Sequence, residues 1–178
     1  CPPPDSRDEH APPVSGAWRP GDPVGDRRFH KVASGRRFAL EGGGSLEGVE
    51  IAYESWGRLS DGGDNAVLVC HALTGDSHAA GRPGAANVDP GWWEALIGPG
   101  RALDTDRYFV VCANVLGGCQ GSTGPASSMG VDGRRYGSSF PVVTIRDMVR
   151  TQVSLADELG VRRWRSVVGG SMGGMQAL

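Results

Sequence analysis

Lysine is almost missing from this chain: of its 18 basic residues only Lys31 is not an arginine. That bias points to a GC-rich genome rather than to a function. The arginines form no block or stripe, and 20 acidic residues bring the net charge to −2 and the pI to about 6.1. That balance lacks the electrostatic footprint of a nucleic-acid partner. Metal-type cysteine spacing is missing as well. Cys1, Cys70, Cys112 and Cys119 are scattered with no C-x-x-C pair, which excludes a zinc knot or a redox dithiol built from cysteines alone. Cys70 and Cys112 fall inside apolar runs, where a thiol serves as a small core side chain. A reduced, cytoplasmic protein is the expectation. No apolar run approaches the roughly 18 residues of a membrane span, and the first residues lack the apolar stretch of a signal peptide. The chain does not open on methionine, and it stops seven residues after Ser171, its most informative position. It is therefore expected to be an N-terminal piece of a longer protein.

What is present suffices for one domain with a real core: 178 residues, 39% of them hydrophobic. Residues 1–28 hold seven of the twelve prolines and few apolar side chains, a composition expected of a flexible arm. Residues 29–178 read as globular. Arg37–Leu40 and Val49–Glu54 are expected as strands; the second alternates like a half-exposed, antiparallel one. The continuous apolar runs Ala66–Cys70 and Tyr108–Ala113 read as strands buried on both faces. Trp92–Ile97 is expected as a short helix, and Thr144–Leu159 as an amphipathic one with Gly160 as its C-cap. Buried strands alternating with helices mean an open, mostly parallel sheet flanked by helices. The 29 glycines suit a loop-rich face but also inflate chance matches to glycine motifs.

The chemistry concentrates near the end. The run Trp164–Val168 reads as a strand, Gly169-Gly170-Ser171-Met172-Gly173 follows, and Met172–Leu178 reads as a helix start. Strand, G-x-S-x-G, helix resembles the nucleophile elbow of the α/β-hydrolases, a turn too tight for side chains on either side of the serine. Ser171 is thus the candidate nucleophile. A serine also needs a base, an acid that orients the base, and donors for the oxyanion. The N–H of Met172, directly after the nucleophile, is the expected first donor. Leu73, in the His71-Ala72-Leu73-Thr74-Gly75 loop that leaves a buried strand, is the expected second. In this fold acid and histidine follow the serine, and neither appears after Ser171. That chain order argues against His71 or His78 as the base. Gly117–Gly124 lacks the G-K-[ST] ending of a phosphate loop.

Together, His71–His78, Asn114–Pro125, Ile145–Val149 and Gly169–Leu178 resemble the homoserine O-acetyltransferases, with the likeness running from about Phe38 to Leu178. The resemblance implies an α/β-hydrolase fold that moves acetyl from acetyl-CoA to the hydroxyl of L-homoserine, in methionine biosynthesis, through an acyl-Ser171. It implies acetyl-CoA as co-substrate, no bound cofactor or metal, and a homodimer. It also places the family's aspartate, histidine and lid beyond Leu178, so that residues 1–178 alone are expected to be inactive. The alternatives are a sister acyltransferase using succinyl-CoA or another alcohol such as serine, a plain serine esterase, and a non-catalytic ligand-binding member of the fold.

Overall fold

The computed structural model describes residues 16–32, 36–129 and 133–178. In chain order these form β1 (Arg28–Lys31), β2 (Phe38–Ala39), β3 (Ser45–Leu46), β4 (Glu50–Trp56), β5 (Ala66–Cys70), β6 (Ile97–Gly98), β7 (Leu103–Asp104), β8 (Phe109–Ala113), α1 (Ile145–Leu159), β9 (Trp164–Gly169) and α2 (Met172–Ala177). The central sheet runs β1-β4-β8-β5-β9. β1, β4 and β8 pair antiparallel, while β8, β5 and β9 are parallel. Every residue of β5 and β8 is buried, as their uninterrupted apolar runs require. Alternation along β8 feeds two cores. Val111 and Ala113 join Ile51, Tyr53 and the α1 residues Leu155 and Ala156. Val110 and Cys112 join Val69, Ala79, Ala80 and Ile97.

Helix α1 starts where the sequence sets a cap. Thr144 Oγ1 accepts the N–H of Asp147 at 3.2 Å, and Asp147 Oδ2 accepts the N–H of Thr144 at 3.0 Å, a reciprocal capping box. Gly160 ends it in the left-handed conformation at φ 77°. Its buried face includes Thr151 and Gln152, whereas Val153 stays 53% exposed. Gln152 Nε2 donates to Gln176 Oε1 at 2.7 Å, which ties α1 to α2.

Three local expectations need correction. β4 is not half-exposed: Ile51, Ala52, Tyr53 and Glu54 are all buried. Loops cover its second face: Gly121, after β8, lies against the Ala52 methyl, and Ser77 and His78 close over Glu54. Residues 92–96 are turns and Ile97 already belongs to β6, so no helix forms. Trp92 and Trp93 donate to His78 O and Ala79 O, Leu96 N–H closes a tight turn on Trp93 O, and Ile97 pairs with Leu103 in β7. β1, which falls at the edge of the proline-rich stretch, has no counterpart among the expected strands. Of the expected arm, residues 1–15 lie outside the described residues. Within 16–28, the Trp18 N–H donates to Cys119 O at 2.9 Å and Trp18 packs on Phe29 with ring centroids 5.2 Å apart.

Candidate functional site

β9 delivers Ser171 into a turn where the backbone has φ 56° and ψ −126°, the only positive φ of a non-glycine residue among the described residues. The glycines of the pentapeptide explain how that turn is built. A Cβ on Gly169 would stand 2.7 Å from Cys70 O and 2.6 Å from the Gly173 carbonyl carbon. One on Gly173 would collide with the Cys70 carbonyl. The elbow is thus pressed onto the C-terminal end of β5, and only bare backbone fits at those two positions. Gly170, by contrast, meets nothing within 4 Å, so that position is sterically free. Ser171 itself is exposed.

A cavity of about 280 Å³ opens beside the elbow and brings both expected donors together. Its lining includes Leu73, Met172, His71, Asn114 and the 115–120 loop, with Val143 and Met148 closing the apolar side. The Leu73 N–H has no acceptor among the described residues. Met172 is the first residue of α2, and a first-turn amide has no partner within its own helix. Ser171 precedes Met172 in the chain but does not itself line this cavity.

The two histidines of the 71–78 loop are committed elsewhere. His71, 2% exposed, places Nδ1 2.7 Å from Ala72 O, while its Nε2 accepts the Val115 N–H at 3.3 Å. That pattern requires the neutral Nδ1–H tautomer. Burial lowers its pKa, opposed by the bond to the Ala72 carbonyl and by the charge of Asp76. His78 Nδ1 lies 2.9 Å from Glu54 Oε2 in the core. Burial raises the Glu54 pKa, while His78 and Arg27 pull it down. Among the described residues neither imidazole bonds Ser171 Oγ, and no carboxylate does. The buried thiols are poor nucleophiles, since burial pushes Cys70 up to about 11 and Cys112 well above the ordinary range. No group of three or more His, Cys, Asp or Glu with metal-binding geometry occurs among the described residues.

A family profile described as the alpha/beta hydrolase fold matches residues 65–178, from β5 through the elbow. The chain belongs to the α/β-hydrolase family. Over 166 residues it is 60% identical to a homoserine O-acetyltransferase of Thermobifida fusca, covering 93% of this chain and 43% of that protein. Among solved structures, it resembles esterase E22 (TM-score 0.77, 38% identity, 85% of this chain and 42% of that one). It also resembles a homoserine O-acetyltransferase from Bacillus anthracis (TM-score 0.74, 36% identity, 85% of this chain and 41% of that one). The chain thus spans less than half the length of these relatives.

Two residues that matter to this α/β-hydrolase site escaped sequence reasoning. Glu54 passed as the polar face of a strand, yet it is 1% exposed and also lies 3.4 Å from Ser77 Oγ. Asn114, 2% exposed, joins the two loops that line the cavity. Its position was a usable signal: a polar residue just past the C-terminal end of a buried strand is where open α/β sheets place their ligands.

Proposed function

We propose that the protein to which this chain belongs is a homoserine O-acetyltransferase. The observation that carries the reading is the cavity in which Leu73 and the 115–120 loop converge with Met172, the residue that follows Ser171 in the elbow. The relatives from Thermobifida fusca and Bacillus anthracis bear that name. Ser171 Oγ attacks the thioester carbonyl of acetyl-CoA, and the N–H groups of Leu73 and Met172 stabilise the oxyanion. The C–S bond then breaks, the serine proton passes through a base to the departing thiolate, and CoA leaves. The homoserine hydroxyl next attacks acetyl-Ser171, returning the proton to Ser171 and releasing O-acetylhomoserine. In this fold the acid and histidine follow the nucleophile in the chain. They would come from residues after Leu178, together with the surface that keeps water from the acyl-enzyme. The lining favours a short uncharged acyl group: Val115, Leu116, Val143 and Met148 are apolar, and His71 is held neutral. A succinyl carboxylate would find no counter-charge among those side chains.

The substrates are L-homoserine and acetyl-CoA, with no resident cofactor or metal, and the working form is a homodimer. A cytoplasmic setting fits the free thiols of Cys70, Cys112 and Cys119. No helix among the described residues is long and apolar enough to cross a membrane.

The test is a rapid-mix assay of the full-length protein with acetyl-CoA alone. The expected result is a burst of free CoA equal to the active sites, carried as acetyl on Ser171 and abolished by Ser171→Ala. A linear onset without covalent acetyl-serine would sink the reading. The likeness to esterase E22 supports one rival, a serine esterase. Adding homoserine separates the two: a transferase yields O-acetylhomoserine, an esterase only acetate.

A further inference from the structure

The two donors of the proposed oxyanion site stand on different supports. Met172 rides on the elbow, held rigidly against β5 by the glycines at 169 and 173. Leu73 rides on a loop and is 77% exposed, so its own side chain anchors nothing. Its position depends on what fixes the loop from 71 to 78. That loop leans on the one that follows β8, because side chains cross between them at two points. One crossing is His71 Nε2 accepting the Val115 N–H. The other is the Asn114 amide. Asn114 Oδ1 accepts the Ser77 N–H at 3.1 Å, and Asn114 Nδ2 donates to the Gln120 carbonyl.

The backbone of Asn114 is equally engaged. Its N–H donates to Ala52 O at 2.8 Å on β4, and its carbonyl accepts from Ser122 Oγ at 2.9 Å. One residue, at the C-terminal end of a central strand, is therefore bonded to β4, to the 71–78 loop and to both Gln120 and Ser122 of its own loop. Buried amides satisfied at both ends hold one geometry. Both loops joined by this amide line the cavity, with Leu73 on one side and Gly117, Gly118 and Gln120 on the other.

The geometry points to Asn114 as a positioning residue: its side-chain amide sets the separation of the two loops and so aims the Leu73 N–H at the oxyanion. This assignment rests on the reading of Leu73 and Met172 as donors. An oxyanion donor acts only where charge develops, so misplacing it slows acylation more than it weakens substrate binding. A purely structural residue would lower stability and leave that balance alone.

The experiment uses the full-length enzyme and four variants. Asn114→Ala removes the bond across to Ser77 and the bond to Gln120 of its own loop, and leaves the His71 crossing in place. Asn114→Asp keeps the acceptor for Ser77 but turns an oxygen toward the Gln120 carbonyl, at nearly unchanged volume. Thr123→Val is the structural control. It removes the bond to the Glu50 N–H at 2.9 Å, and Thr123 does not line this cavity. Ser171→Ala reports on the nucleophile. The readouts are single-turnover acylation by acetyl-CoA, KM, and the affinity of ethylboronic acid, which adds to a serine as a tetrahedral oxyanion mimic. Both Asn114 variants are expected to slow acylation about tenfold or more and to weaken the boronate similarly, with KM changed less than about twofold. Thr123→Val is expected to lower the melting temperature and leave the acylation rate, KM and the boronate affinity intact. Asn114 variants with wild-type acylation, or losses matched by Thr123→Val, overturn the role of Asn114 alone. A wild-type enzyme with neither a CoA burst nor a boronate adduct overturns the reading of Ser171 itself.

Discussion

Holding Ser171 at φ 56° costs about 1–3 kcal/mol, and the surrounding backbone must enforce it. The enforcing contacts are at Gly169 and Gly173, where the chain touches the Cys70 carbonyl. Because that neighbour is backbone, a methyl group at Gly173 cannot be relieved by a rotamer change. Gly173→Ala is expected to cost about 3 kcal/mol or more and to abolish acylation, whereas Gly170→Ala, with open space around it, leaves both within error. Denaturant titration and the CoA burst measure the pair. His71 gives a second test at this scale. Burial holds its pKa below the ordinary value of about 6.5. The neutral ring therefore contributes stability that is fully present above that value and is lost as pH falls through the lower folded pKa. Glu54, raised by burial, works in the opposite direction over part of the range. The quantity to measure is therefore the difference between wild type and His71→Gln. That difference is expected to shrink on acidification below pH 6, as the protonated ring can no longer accept the Val115 N–H; a difference constant with pH would contradict the assigned tautomer.

At the scale of elements, α1 carries its own boundaries. Asp147 supports more than the capping box, since its Oδ1 also accepts the Glu41 N–H at 3.0 Å from the segment after β2. Thr144→Ala is expected to cost about 1 kcal/mol and to lower the melting temperature by roughly 3 °C. Asp147→Ala costs more, because it removes the acceptor of both the Thr144 and the Glu41 N–H. Features of this kind are legible in a sequence because they are local. The apolar period and Gly160 announce α1, the uniform runs announce β5 and β8, and G-x-S-x-G announces the elbow. What escaped was set by partners distant in the chain. Glu54 is buried because the loop near His78 closes over it, 24 residues away. The stretch 92–97 is docked at its start on the backbone of His78 and Ala79 and drawn at its end into β6 beside β7. Asn114 looked like a loop residue, and only the approach of Ser77 and Gln120 gives its amide a role.

Over the whole molecule, the described residues supply the proposed nucleophile, the two proposed oxyanion donors and an apolar seat, and no partner for the Ser171 hydroxyl. β9, which carries the elbow, pairs with β5 alone among the described strands. On α1 and α2, Val153 and Met175 are 53% and 61% exposed, and a cavity of about 570 Å³ lined by Ile145, Val149 and Met175 together with Arg146 and Arg150 opens between the two helices. An unpaired strand edge next to an apolar face is a template for self-association. The 178-residue chain prepared alone is therefore expected to associate with rising concentration in sedimentation velocity. Val153→Lys with Met175→Lys should weaken that association without altering the elbow. The same preparation is expected to release no CoA burst. A serine without a base is a weak nucleophile, His71 uses both ring nitrogens on backbone groups, and His78 is held by Glu54 in the core. A burst from this chain, lost on His71→Gln or on His78→Gln, would mean that one of these rings leaves its partner to serve Ser171, and the division of labour proposed here would have to be redrawn.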